Sequence, residues 1–156
     1  MKRCPHCRSP MDPTPRALPP LSGEHGSLRL TIEELPAVVC PNGHHAPVDP
    51  DFMYWLIQEL KERAGKVPGG QDKGLFLKKY VCTCGSILDA RSDHRETVRE
   101  RIAYEDRLRF DAFFEFAMHK CPGCGKSQLR SGKEAQRDVA HSLAGITDAA
   151  RFPHSG

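Results

Sequence analysis

The seven cysteines of this 156-residue chain are clustered: Cys4 and Cys7 in CPHC, Cys40 by itself, Cys82 and Cys84 in CTC, Cys121 and Cys124 in CPGC. Two thiolates on one tight turn can face a single ion, and two such turns complete a tetrahedral zinc site. Cys82, Cys84, Cys121 and Cys124 supply four thiolates, the closed ligand set of a structural zinc, and Gly125 lets the backbone turn beneath the last pair. The competing readings of these four are free thiols, a redox pair or an iron–sulfur cluster. Cys4, Cys7 and Cys40 leave one coordination position open. His44, four positions past Cys40, has the spacing of Cys/His knuckles; His45 is its rival, and His6 stands further behind. Two zinc ions per chain are expected.

Other chemistries fit less well. Disulfides need an oxidising compartment, and MKRCPHCRSP carries no apolar leader stretch, so a cytoplasmic location is expected. No window reaches the ~18–20 apolar residues of a membrane helix. A catalytic zinc keeps an open position beside a general base. Glu33, Glu34 and Asp49 lie near Cys40 in sequence, but acidic residues beside strands and helix starts more often cap or face solvent, and no catalytic residue is assigned. Neither CPHC nor CPGC opens a helix in a βαβ context, where a redox pair would sit.

The formal charge of +3 invites a nucleic-acid reading, but seven thiolates and two zinc ions bring it to neutrality. Residues 1–70 hold 8 Lys+Arg against 8 Asp+Glu, whereas 71–156 hold 15 against 12, so a basic surface belongs to the second half. Its candidates are Arg91, Arg95, Arg99, Arg101, Arg107 and Arg109, with Phe113 as a stacking surface. Interleaved Asp89, Asp93, Glu96, Glu100, Glu105 and Asp106 would neutralise them.

These ligands need elements to hold them. Ser9 to Ser27 has five prolines and reads as a long loop, a mobile flap or binding segment. Leu28, Leu30 and Ile32 alternate with Arg29, Thr31 and Glu33 as in a half-buried strand, and Ala37-Val38-Val39 extends into Cys40. Asp49 as N-cap and Pro50 as first residue open a helix to about Ala64, with Phe52, Leu56 and Leu60 on its apolar face and Trp55 in the core. Gly65 to Gly74 reads as a linker and Leu75 to Val81 as a strand. Arg91 to Glu100 is undecided between strand and helix. Leu108 to Met118 alternates as a long strand, and Ser131–Glu134 forms a capping box for a helix from Gly132 to about Ala150.

Both halves follow one plan of knuckle, strand, knuckle and helix, and the strands open alike, LRL at Leu28 and LRF at Leu108. The fold class expected is small α+β, two tandem zinc-ribbon-like modules: residues 1–65 with a Cys3His site, a linker at 66–74, and 75–156 with a Cys4 site and terminal helix. A module of about 65 residues buries little apolar surface, and a structural zinc compensates.

MKRCPHC, the stretch LRLTIEELPAVVCPNGHH and a helix from Asp49 together resemble the YgiT-type zinc-finger family, the N-terminal module of MqsA-like antitoxins, over residues 1–64. That family's second knuckle is C-x-x-C, which puts its last cysteine at Gly43 here and leaves His44 to substitute. FEFAMHKCPGCGK is similar to CpXC-type zinc ribbons over residues 75–130. The resemblance implies a small bacterial protein that uses zinc for structure and its surface for partners. The DNA-reading helix-turn-helix of MqsA-like antitoxins has no counterpart after Cys124. The expected function is a non-enzymatic module with two structural zincs that docks a protein partner in an antitoxin-like role; the alternatives are nucleic-acid binding and a zinc- or thiol-dependent enzyme.

Overall fold

The computed structural model describes residues 2–74 and 79–153. In chain order its elements are β1 (Asp12–Ala17), β2 (Leu21–His25), β3 (Leu28–Glu33), β4 (Pro36–Val39), β5 (His45–Ala46), α1 (Phe52–Gly65), β6 (Gln71–Lys73), β7 (Lys79–Val81), β8 (His94–Tyr104), β9 (Leu108–Lys120), β10 (Ser127–Gln128) and α2 (Gly132–Ala149). This is a small mixed α+β arrangement.

The alternation of β9 decides the main sheet. Phe110, Ala112, Phe114 and Phe116 turn to one face and are buried, and β3 matches them with Leu28, Leu30 and Ile32. The two strands pair antiparallel, Leu28 opposite Phe116 and Ile32 opposite Ala112. Each is also half of a hairpin: β2 pairs with β3 and β8 pairs with β9, so the strands lie in the order β2, β3, β9, β8. Two like hairpins thus meet back to back along an antiparallel seam. Leu28 and Leu108 occupy the same place in each, the first strand residue after the turn, as the shared LRL/LRF openings suggest.

Both helices cover the apolar face, and each lies against the hairpin of the other half. Helix α2 crosses β2 and β3. Phe52 of α1 packs edge-on to Tyr104 of β8, with ring centroids 4.9 Å apart, and Arg63 pairs with Glu100 at 2.9 Å. Leu28, Leu56, Phe114 and Val139 therefore belong to a single buried cluster. The halves share one core across the 66–74 segment, because the helices are exchanged between hairpins. That segment, expected as a linker, carries β6 and is pinned to the second half by Gly70 N–H to Leu129 C=O at 2.9 Å and Leu129 N–H to Pro68 C=O at 2.8 Å.

The proline-rich stretch from Ser9 to Ser27, expected as a loop, supplies two strands. β1 is the edge of a small sheet ordered β1-β4-β5, and its register slips between Asp12 and Arg16, where Pro13 and Pro15 stand. An edge with an irregularity is where a strand can lack amide donors. β2 was masked by Gly23, which replaces the apolar residue its alternation called for. There the chains touch backbone to backbone: a Cβ on Gly23 would lie 2.0 Å from the Ser142 carbonyl oxygen of α2. Arg91 to Glu100, undecided from sequence, is strand from His94 onward. Of the strand expected over Leu75 to Val81, Lys79–Val81 is observed and its first four residues lie outside the described ones.

The helix ends moved slightly. α1 begins at Phe52 rather than Pro50, because the Asp49 carboxylate accepts the Asp51 amide at 2.9 Å and the Tyr104 hydroxyl at 2.7 Å, holding Pro50 and Asp51 in a turn. Ser131 caps α2 by accepting the Glu134 amide at 3.3 Å. The reciprocal half of the capping box is absent, since Glu134 turns to Arg130 and Tyr80. Among the described residues no helix is long and apolar enough to cross a membrane.

Candidate metal centres

Four turns, one at each ligand cluster in sequence, repeat a single hydrogen-bond pattern. The leading cysteine donates its amide to a carbonyl four or five residues on, and its own carbonyl accepts an amide three or four residues on. The pairs are Cys4 N–H to Ser9 C=O with Arg8 N–H to Cys4 C=O; Cys40 to His44 with Gly43 to Cys40; Cys82 to Ser86 with Gly85 to Cys82; and Cys121 to Lys126 with Gly125 to Cys121. Each turn needs one residue in the left-handed region. Three use glycine (Gly43, Gly85, Gly125), the residue that enters it without a Cβ penalty, and the first uses Arg8 at φ 64°. Short spacing therefore dictates the turn, and the turn aims the sulfurs.

The small sheets bring these turns together in twos. β4 delivers Cys40 beside Cys4 and Cys7, which precede its partner β1. Cys121 closes β9, and Cys82 and Cys84 follow β7, the partner of β6. The ligand atoms of Cys4, Cys7, Cys40 and His44 all lie within 4.8 Å of one another, as do those of Cys82, Cys84, Cys121 and Cys124. Nearest separations are 3.4 Å for Cys40 Sγ to His44 Nδ1, 3.8 Å for Cys7 to Cys40, 3.4 Å for Cys84 to Cys121 and 3.7 Å for Cys82 to Cys124. A tetrahedron of thiolates on zinc has edges of about 3.8 Å, from bonds near 2.3 Å. Both donor sets fit such an ion, and neither contains a carboxylate.

His44 points Nδ1 into the first cluster, 3.6 Å from Cys4 Sγ. Its rival His45 faces away, donating from Nδ1 to the Ala150 carbonyl at 3.4 Å and so capping the end of α2. His6 stands outside the cluster, its ring 4.9 Å from that of His44. Of the acidic candidates near this site, Asp49 is engaged with Tyr104 and Asp51 as described.

Polar groups around the sulfurs were not found by reasoning from sequence. Asn42 Nδ2 donates to Cys7 Sγ and Ser9 Oγ, both at 3.3 Å, and the amides of His6 and His44 reach Cys4 and Cys40 at 3.4 Å. At the second cluster Gln128, 1% exposed, donates to Cys82 Sγ at 3.1 Å. The Asn42 signal was available in the CPNGH turn; Gln128 has none, because only the pairing of β10 with β9 carries it over Cys82. Tyr80, whose hydroxyl meets Glu134 and whose ring lies 4.4 Å beneath the Arg130 guanidinium, ties the second cluster to α2.

These donors divide the thiols. The Ser9 hydroxyl, then Asn42 and the Ser9 amide, hold Cys7 down at about 5; the Cys84 amide and Gln128 hold Cys82 at about 6. Burial pushes Cys40 up but the His44 and Asn42 amides outweigh it, whereas burial prevails at Cys4 and raises it. The Lys126 amide draws Cys124 down, yet the Cys82 sulfur and burial carry it to about 11. His44 is raised by Cys7 and Cys40. Each cluster therefore retains protons that a cation would displace.

Four of the six basic candidates, all but Arg91 and Arg109, form ion pairs where they stand. Arg95 pairs with Glu115 at 3.0 Å, Arg99 with Asp111 at 2.9 Å, Arg101 with Asp111 at 3.6 Å and Arg107 with Glu105 at 3.5 Å; the Arg99 guanidinium covers Phe113 at 5.7 Å. Compared with known proteins, the chain matches no family model, no curated protein and no solved structure.

Proposed function

We propose that the chain is a non-enzymatic zinc-binding protein whose two zinc-ribbon-like sites, one Cys3His and one Cys4, built on one shared core, hold structural zinc and present a surface to a protein partner, in the manner of the antitoxin-like YgiT-type modules that residues 1–64 resemble. One observation carries it: two closed four-ligand sets, each built from paired turns, with no carboxylate in either. Zinc bound by Cys4, Cys7, Cys40 and His44 cross-links β1, β4 and β5; zinc bound by Cys82, Cys84, Cys121 and Cys124 cross-links β7, β9 and β10 to the start of α2. Such a site supplies folding energy rather than reactivity.

Nucleic-acid binding is less well supported, since Arg95 and Arg99 of β8 already have acidic partners on β9 at hydrogen-bond distance. The zinc-loaded chain used as bait in native lysate is expected to retain one protein in stoichiometric amount. Retention on DNA or RNA at low ionic strength, lost steeply as salt is raised, or recovery of no protein, would overturn this reading.

A further inference from the structure

The two clusters hold their sulfurs at different depths. In the first, Cys4 and Cys40 are 0% and 4% exposed, Cys7 is half-buried, and the fourth ligand is a histidine. In the second, Cys82 and Cys121 are 3% and 1% exposed, but Cys84 and Cys124 are open to solvent. A Cβ on Gly85 would meet nothing within 4 Å and one on Gly125 only the tip of Lys120 at 3.9 Å, as open as Gly43 in the first cluster. The difference between the clusters therefore lies in the exposed Cys84 and Cys124 themselves. Each exposed sulfur also has a buried one as its near neighbour, Cys84 beside Cys121 at 3.4 Å and Cys124 beside Cys82 at 3.7 Å.

We infer that the second cluster is a site of oxidative modification by hydroperoxides, at Cys84 and Cys124, and that the first cluster is spared; the inference rests on the zinc reading above. The Cys84 thiolate attacks one peroxide oxygen, an S–O bond forms, the O–O bond breaks, and hydroxide leaves and is protonated to water by buffer acid. The Cys121 thiolate then attacks the Cys84 sulfur, forming the S–S bond and expelling the second oxygen as hydroxide, protonated to water. The sulfur pair loses two electrons and the peroxide gains them. A second peroxide closes Cys124 onto Cys82 by the same steps. A site stripped of two thiolates cannot hold its ion, so the modification frees one zinc. In the first cluster Cys4 and Cys40 are buried, Cys7 is half-buried rather than open, and a histidine cannot close a second disulfide. The consequence reaches α2, because Gln128, bonded to Cys82, leads directly into its cap at Ser131.

The test uses the full zinc-loaded chain with hydrogen peroxide. Metal content is measured first, zinc release is followed with a chromophoric chelator, and thiols are trapped with an alkylating reagent and mapped by mass spectrometry. One zinc equivalent is expected to leave at least about tenfold faster than the other, in step with loss of alkylation at Cys84, Cys121, Cys82 and Cys124. Dithiothreitol with added zinc is expected to restore it. A preparation without zinc before peroxide is added overturns the metal reading. Two zincs that leave together, or prior loss of alkylation at Cys4, Cys7 and Cys40, overturn this inference alone.

Discussion

Gly23 and Gly145 face each other across the contact of β2 with α2, and replacing each by alanine should change stability in opposite directions. Neither has a positive φ, so backbone strain does not enter. A Cβ on Gly23 would lie 2.0 Å from the Ser142 carbonyl oxygen, 3.0 Å from its carbon and 3.3 Å from the Ile146 nitrogen. The obstacle is helix backbone, which has no rotamer to change, so α2 must lift by roughly an ångström or more and loosen Val139, Leu143 and Ile146 from the sheet. Overpacking of this kind costs about 3 kcal/mol, the top of its usual range, which for a chain of this size lowers Tm by about 6–12 °C. A Cβ on Gly145 meets the Gly23 Cα at 3.5 Å, an ordinary contact, and alanine there removes a glycine from a helix interior. That change should stabilise by about 0.5–1 kcal/mol. Thermal melting of the zinc-loaded variants by circular dichroism measures both. A Gly23→Ala variant that melts with the wild type, or a Gly145→Ala variant that falls as far as Gly23→Ala, would refute the packing of α2 on the β2–β3 hairpin.

Three further outcomes follow from the clusters. His44→Ala should bind one zinc fewer, whereas His45→Ala should keep the full complement and lose only the cap on Ala150; metal analysis of the two proteins separates them. Gln128→Ala should weaken one zinc by roughly 10–100-fold in a competitive chelator titration, the usual effect of removing a partner that orients a ligand. Zinc uptake at neutral pH should release protons. Cys124 stands at about 11 without an ion and Cys4 and His44 are raised, so each must give up a proton to coordinate, and affinity should rise with pH. Calorimetry in buffers of different ionisation enthalpy reads that release; no proton release near pH 7 would contradict it.

What the sequence revealed and what it hid divide by range. The clusters were legible because both thiols of a pair sit on one turn, and the unpaired Cys40 pointed to His44. β9 was legible because its alternation is unbroken from Leu108 to Met118. β1 was not, since Pro13 and Pro15 disfavour a strand unless it lies at an irregular edge, which only tertiary pairing provides. β2 was hidden because its central inward position is Gly23, chosen for a helix that arrives some hundred residues later. The periodicity of α1 and α2 marks their apolar faces but not which hairpin each will cover, and so separate modules were expected where one core is shared. Gln128 shows the same limit: its contact with Cys82 exists only once β10 has paired with β9.

Whether each of the two closed ligand sets holds a zinc ion is read by native mass spectrometry of the purified chain, with the metals identified by elemental analysis. Two zincs per chain are expected, falling to one in Cys4→Ser and in Cys121→Ser. A wild-type chain that carries a single zinc, iron in place of zinc, or no metal would contradict that expectation.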